Sequence, residues 1–188
     1  MIRQGSAFVT DPGAASPWLY CREPELEWCA SGLAMAVAPL DCWQLDARAQ
    51  QALHKAIAAD AGRVIELDAQ RHLLPLGRGK ALLVCPRSQG TATRPPLPAT
   101  GVAVNCSGQY STARLRGGLA RSLLETGCSL DFRDQGFPPG RAWRSLFHDV
   151  PVLAWRRAED EYLVLAERSL AEHFFQRLLI AAREFSPA

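Results

Sequence analysis

The chain has 188 residues, 48% of them hydrophobic and 21% charged, and a formal net charge of +2. These values describe a globular chain with a core of ordinary size and exclude a disordered one. A charge so near balance, with no clustered basic face, gives no footing for a nucleic-acid partner. Arg114, Arg116 and Arg121 are locally basic and read as a solvated or partner-facing surface.

The opening "MIRQGSAFVTDPG" has no apolar run of signal-peptide length. The longest uninterrupted apolar run, "LAMAVAPL" at 33–40, is far short of a membrane span. The chain therefore reads as soluble and cytoplasmic, with no membrane partner. Residues 1–30 hold three prolines and two tryptophans in no clear period and read as an irregular N-terminal arm.

Residues 31–85 read as a first α+β half. "LAMAVAPLDCWQL" at 33–45 is one extended segment, and Asp46 is placed to cap a helix. Ala49, Leu53, Ala56 and Ile57 follow at helical spacing, with Gly62 as the stop. "RVIEL" at 63–67 and "ALLVC" at 81–85 read as strands. "GRGKAL" at 77–82 has Gly-x-Gly but no third glycine and no strong strand before it. It reads as a tight turn into the strand at 81, not as a dinucleotide fingerprint.

Residues 86–99 carry four prolines and little apolar content, which marks a linker or long surface loop. Residues 100–188 form a second α+β half. Strands are expected at 101–106 and 110–116. A short helix follows, with Leu119, Leu123 and Leu124 inward and Gly127 at its end. "FPPG" at 137–140 is a rigid turn. Strands at 141–147 and 150–156 are joined by His148-Asp149 as a tight hairpin, and a third strand spans 161–166. Ser169 and Glu172 have capping-box spacing. Leu170, Phe174, Leu178, Ala181 and Phe185 then recur at helical spacing. The sum is an α+β fold: antiparallel sheets with covering helices.

Six cysteines are present, at 21, 29, 42, 85, 106 and 128, with no Cys-x-x-Cys pair. Zinc sites and redox dithiols use that pairing, so the thiols read as reduced, buried and inert. Cys128 is the one candidate nucleophile, and its place near a helix C-terminus disfavours a thiolate. His54, His72, His148 and His173 share no i,i+4 or i,i+2 spacing that would hold a metal. His148-Asp149 could join Ser107 or Ser145 in a triad, but a hairpin tip takes such residues for turn reasons alone. Trp18, Trp28, Trp43, Trp143 and Trp155 serve a core or, if exposed, a protein interface. No convergent acid, base and nucleophile emerges, so no catalytic, cofactor-binding or metal residue is assigned.

From residue 101 the order of motifs resembles the gamma subunit of heterotetrameric sarcosine oxidase. That family has Gly-Cys-Pro-Leu-Asp-Leu after a short helix, then a Phe-x-x-Gly turn. Strands bearing Arg-Thr-Leu, Val-Leu and Tyr/Phe-Arg-Leu follow, and Arg-Ser precedes the last helix. Here these are Gly127-Cys128-Ser129-Leu130-Asp131-Phe132, Phe137 to Gly140, Arg144-Ser145-Leu146, Pro151-Val152-Leu153, Tyr162-Leu163-Val164 and Arg168-Ser169. The family's Asp-x-Ser is Asn105-Cys106-Ser107, and a common Arg after it is Tyr110. "LLPLGRGKALLVCP" at 73–86 stands for its Trp-Leu-Gly-Pro-Asp-Glu-Trp-Leu segment.

More distantly, the arrangement is similar to the aminomethyltransferase (T-protein) folate-binding domain. The resemblance implies a non-catalytic subunit that packs on a large alpha subunit near its T-protein-like region, with beta and delta subunits in the same complex. It implies FAD, FMN, NAD and tetrahydrofolate on partner subunits and no cofactor on this chain. The complex would demethylate sarcosine or a related amine, passing the one-carbon unit to tetrahydrofolate. The alternative is a stand-alone folate-binding or aminomethyltransferase-like protein, for which Asp41, Glu66 and Asp131 are the carboxylates to test.

Overall fold

The computed structural model describes residues 27–30, 32–46, 55, 58, 60–87 and 103–185. Among them are eleven strands: β1 (Glu27–Ala30), β2 (Leu33–Val37), β3 (Leu40–Asp46), β4 (Ile65–Glu66), β5 (His72–Gly77), β6 (Lys80–Pro86), β7 (Ala103–Asn105), β8 (Tyr110–Arg116), β9 (Arg141–Phe147), β10 (Val150–Ala158) and β11 (Glu161–Glu167). Two α-helices accompany them, α1 (Ala120–Glu125) and α2 (Ala171–Arg183).

The strands form two sheets, ordered β1-β2-β8-β11-β10-β9 and β4-β5-β6-β3-β7. Every pairing is antiparallel. The expected α+β class with antiparallel sheets therefore stands. The strands are not shared out by chain halves, however. β2 joins the sheet of the second half, and β7 pairs with β3 in the other.

Three layers result. One face of the six-stranded sheet offers Leu115, Val164 and Ala154 to α1 and α2, which bury Leu123, Phe174 and Leu178 there. The other face offers Leu153, Trp155 and Leu165 to Leu74, Leu82 and Val84 of the five-stranded sheet. β10 and β11 are buried on both faces, which is why their sequences run almost continuously apolar. A third cluster, around Trp43, Leu73 and Leu83, lies on the far face of the five-stranded sheet.

Several expectations shift. The segment 33–45 is two strands in two sheets, broken at Ala38-Pro39. A proline lacks the N–H that a continuous ladder would need there. The helix expected after Asp46 lies mostly outside the described residues; Lys55 and Ala58 are helical, and Asp46 closes β3. Residues 27–30, read as part of an irregular arm, pair with β2. β5 precedes "GRGKAL" as a full strand, contrary to expectation, so that motif is a β5–β6 hairpin tip. Gly77, Arg78 and Gly79 all take positive φ there.

The capping box does not form. Ser169 sits in a 3-10 turn (Arg168–Leu170), and Leu170 caps α2 with no side-chain hydrogen bond. Gly127 does not end α1 in the left-handed conformation either. Its lack of a side chain matters for another reason: a Cβ would lie 2.8 Å from the Phe147 ring and 2.9 Å from His148.

Candidate functional site

The residues singled out as candidate chemistry are held apart, each in a local structural role. Cys128 lies in the helix-covered core, its N–H donating to Leu124 O at 2.9 Å. Burial pushes its thiol up to about 11, against a partial offset from a Ser145 hydrogen bond. Such a thiol is a poor nucleophile at neutral pH. Its neighbours Phe132 and Leu130 turn inward, Phe132 making edge-on contacts with Phe137 and Tyr162.

His148 and Asp149 do form the tight β9–β10 turn, with His148 at φ 52° and its N–H on Gly127 O. They make no triad. The Asp149 carboxylate faces His173 Nε2 at 3.0 Å on α2. Ser145 Oγ lies 3.3 Å from Leu146 O, and Ser107 belongs to another cluster. In that cluster the Ser107 hydroxyl donates to Asn105 Oδ1 at 2.8 Å and accepts the Cys42 N–H at 2.9 Å. Asn105 Oδ1 also accepts the Ser107 N–H at 3.0 Å. Asn105-Cys106-Ser107 is thus a clamp that ties the end of β7 to β3. Either Asn or Asp can serve, because only an acceptor oxygen is used.

The three carboxylates do not converge. Asp41 is buried and paired with Arg87 Nε at 3.3 Å. Asp131 is exposed and receives a two-pronged bond from Arg133, which holds its carboxyl down at about 2. Glu66 is elsewhere, beside a cavity. Burial pushes the Cys42, Cys85 and Cys106 thiols up as well. Among the described residues no three His, Cys, Asp or Glu side chains are placed to hold a metal ion. Trp43 and Trp155 are core, while Trp143 is 38% exposed on the edge strand β9.

Sequence reasoning did not find a cavity of about 210 Å³ at the rim between the sheets. Glu66, Asp68, His72, Trp155 and Arg157 line it. Glu66 and His72 are opposite partners in the β4–β5 ladder, which sets both side chains on one face. The His72 ring is tilted on Trp155, with centroids 4.8 Å apart. Burial and the nearby Arg157 lower its pKa, so the imidazole is neutral at pH 7. No local signal joins residues 66–72 to 155–157, because the contact depends on how the two sheets stack.

Residues 97–184 match the model of the sarcosine oxidase, gamma subunit family. The sarcosine oxidase subunit gamma of Corynebacterium sp. (strain U-96) is 32% identical over 88 residues, 47% of this chain and 43% of that protein. The subunit gamma of Arthrobacter sp is 28% identical over 140 residues, 72% of this chain and 68% of that protein. The match thus spans less than half the length of the first relative and 68% of the second.

A chain of the heterotetrameric sarcosine oxidase from Corynebacterium sp. U-96, solved in complex with pyrrole 2-carboxylate, shares the fold. The TM-score is 0.70 at 24% identity, covering 86% of this chain and 90% of that one. Through residues 97–184, which hold both the Gly127 to Phe132 motif and the hairpins after it, the chain is similar to the sarcosine oxidase gamma subunit family.

Proposed function

We propose that this chain is the non-catalytic assembly subunit of a heterotetrameric, flavin-dependent sarcosine oxidase-like complex. The observation that carries the reading is the gamma-subunit match over residues 97–184. In this reading the chain packs on the T-protein-like region of a large alpha subunit, with beta and delta subunits completing a cytoplasmic assembly. FAD, FMN, NAD and tetrahydrofolate sit on those partners. Their flavin chemistry demethylates sarcosine or a related secondary amine or amino acid, and tetrahydrofolate takes the one-carbon unit. The two-sheet architecture is then a relative of the folate-binding aminomethyltransferase fold.

Two features support a structural role. Asp41 and Asp131 are held by arginines, and the Cys128 thiol is pushed well above neutrality. The test is co-expression with the neighbouring genes and affinity capture on this chain. The expected result is a flavin-coloured heterotetramer that oxidises sarcosine, while the lone chain carries no flavin and oxidises nothing. A lone chain that binds tetrahydrofolate tightly and saturably would overturn the reading in favour of a stand-alone folate protein.

A further inference from the structure

We propose that the cavity between the β4–β5 hairpin and β10 binds a small zwitterion, an amino acid whose carboxylate meets Arg157 and whose ammonium meets Glu66.

The placement comes from register. Glu66 and His72 share a face of the β4–β5 ladder, and that face abuts Trp155. On the opposite wall, the pairing of β10 with β11 slips between Arg156 and Ala158, leaving Arg157 as the extra residue. A bulge of this kind re-aims a side chain. Arg156 turns into the helix-side core, and Arg157 lines the cavity.

The charges there are only partly matched within the protein. Glu161 Oε1 lies 2.7 Å from Arg114 and 3.5 Å from Arg157, and Glu161 Oε2 lies 3.4 Å from Arg116. One carboxylate serves three guanidinium groups, and Arg157 is the most distant of them. Asp68, the other acid on the rim, is engaged by Arg71 Nε at 2.5 Å and by the N–H groups of Gln70 and Arg71. Glu66 has no ion pair among the described residues.

The cavity thus offers one available cation, one available carboxylate, the Trp155 indole and the apolar Val64 side chain. His72, neutral at pH 7, adds hydrogen-bonding capacity and no competing charge. A volume of about 210 Å³ suits one small amino acid. It is too small for the drug-sized ligands that fill roughly 300–1,000 Å³. A carboxylate alone would leave Glu66 unmatched, and an amine alone would leave Arg157 unmatched.

Calorimetry on the full chain at pH 7 and low salt tests this with three probes: L-proline, acetate and methylammonium. Proline is expected to bind saturably and at least about tenfold more tightly than either half-ligand. Glu66→Gln and Arg157→Met should each weaken proline about tenfold or more, as expected when one hydrogen-bonded charge loses its partner. Arg133→Ala, in a remote exposed turn, should leave binding unchanged. Glu66 and Arg157 are both surface-exposed, so circular dichroism melts of the two variants should overlay the parent. Ligand-detected saturation-transfer NMR gives a second readout. The proposal is overturned by any of three results: no signal with proline by either method, acetate binding as tightly as proline, or proline binding that survives both substitutions. None of these outcomes bears on assembly with partner subunits.

Discussion

The six-stranded sheet is closed differently on its two faces. On one face, α1, α2 and the 127–140 segment press side chains directly against backbone. Gly127 touches Phe147 and His148, and Arg156 is buried against the turn it supports. On the other face a second sheet lies across it. The rim of that layer is fixed on its β3–β7 side by polar clamps such as Asn105-Ser107-Cys42 and Arg87–Asp41, and the cavity opens at the opposite edge, beside β4 and β5. The lesson concerns tolerance. A helix laid on a sheet fills its layer and leaves no room for added volume. Two stacked sheets meet well only at their centre, and hydrogen bonds finish the edges.

The contrast predicts a graded series of costs. Arg156 should be the most expensive to lose. It is 3% exposed and bonded to Asp134, Phe137 O and Glu159 O, with its guanidinium over the Tyr162 ring. Arg156→Ala is expected to lower unfolding stability in urea by about 3 kcal/mol. A cost under about 1 kcal/mol would mean that the helix-covered side is the looser one. Gly127→Ala should cost about 1–3 kcal/mol, because the added methyl meets Phe147 with no open space. An unchanged melting temperature would remove that asymmetry.

At the clamp between β3 and β7, Ser107→Ala should cost about 1 kcal/mol, while Asn105→Asp stays within about 0.5 kcal/mol. If the two costs are equal, the clamp needs the amide and the acceptor account is wrong. The smallest effect belongs to Asp131. Its folded carboxyl titrates at about 2, below the ordinary value of 3.8. The ionised form is therefore favoured by folding, and its contribution is complete above about pH 4 and disappears as pH falls toward 2. Urea melts of the parent and Asp131→Asn should differ slightly at pH 5 and converge at pH 2. A constant offset across that range would assign the effect to something other than charge.

The same contrast governs what could be read from the sequence. The second half was legible almost residue by residue. β8, β9 and the start of β11 fall where alternation and turn residues put them, and β10 runs two residues past its expected end. Short hairpins supply strong local signals there. The five-stranded sheet was harder to read. In β5, Pro75 falls where the register against β6 slips, and Gly77 starts the turn, so a real strand carries the marks of a loop. Pro39 turns one apparent strand into two that serve different sheets. Ser169 and Glu172 have the spacing of a cap, but the 3-10 turn moves the helix start to Ala171, which leaves Ser169 before the N-cap and Glu172 in the first turn. The Gly127 to Phe132 motif carried the family resemblance but not the reason for its glycine, which lies in a ring twenty residues further along the chain. The cavity could not be read at all, since its walls come from strands that meet only when the sheets stack.

The exchange of strands between the sheets gives the chain a particular kind of robustness. A backbone cut anywhere between Arg87 and Ala103 would yield an N-terminal piece carrying β1 and β2, and a C-terminal piece carrying β7. Each piece holds part of the other's sheet, with β2 laddered to β8 and β7 to β3. The fragments would stay clasped after cleavage, and separately made pieces would complement each other. The two halves are interlocked, so the protein folds as a single cooperative object even though its sequence divides at a proline-rich stretch.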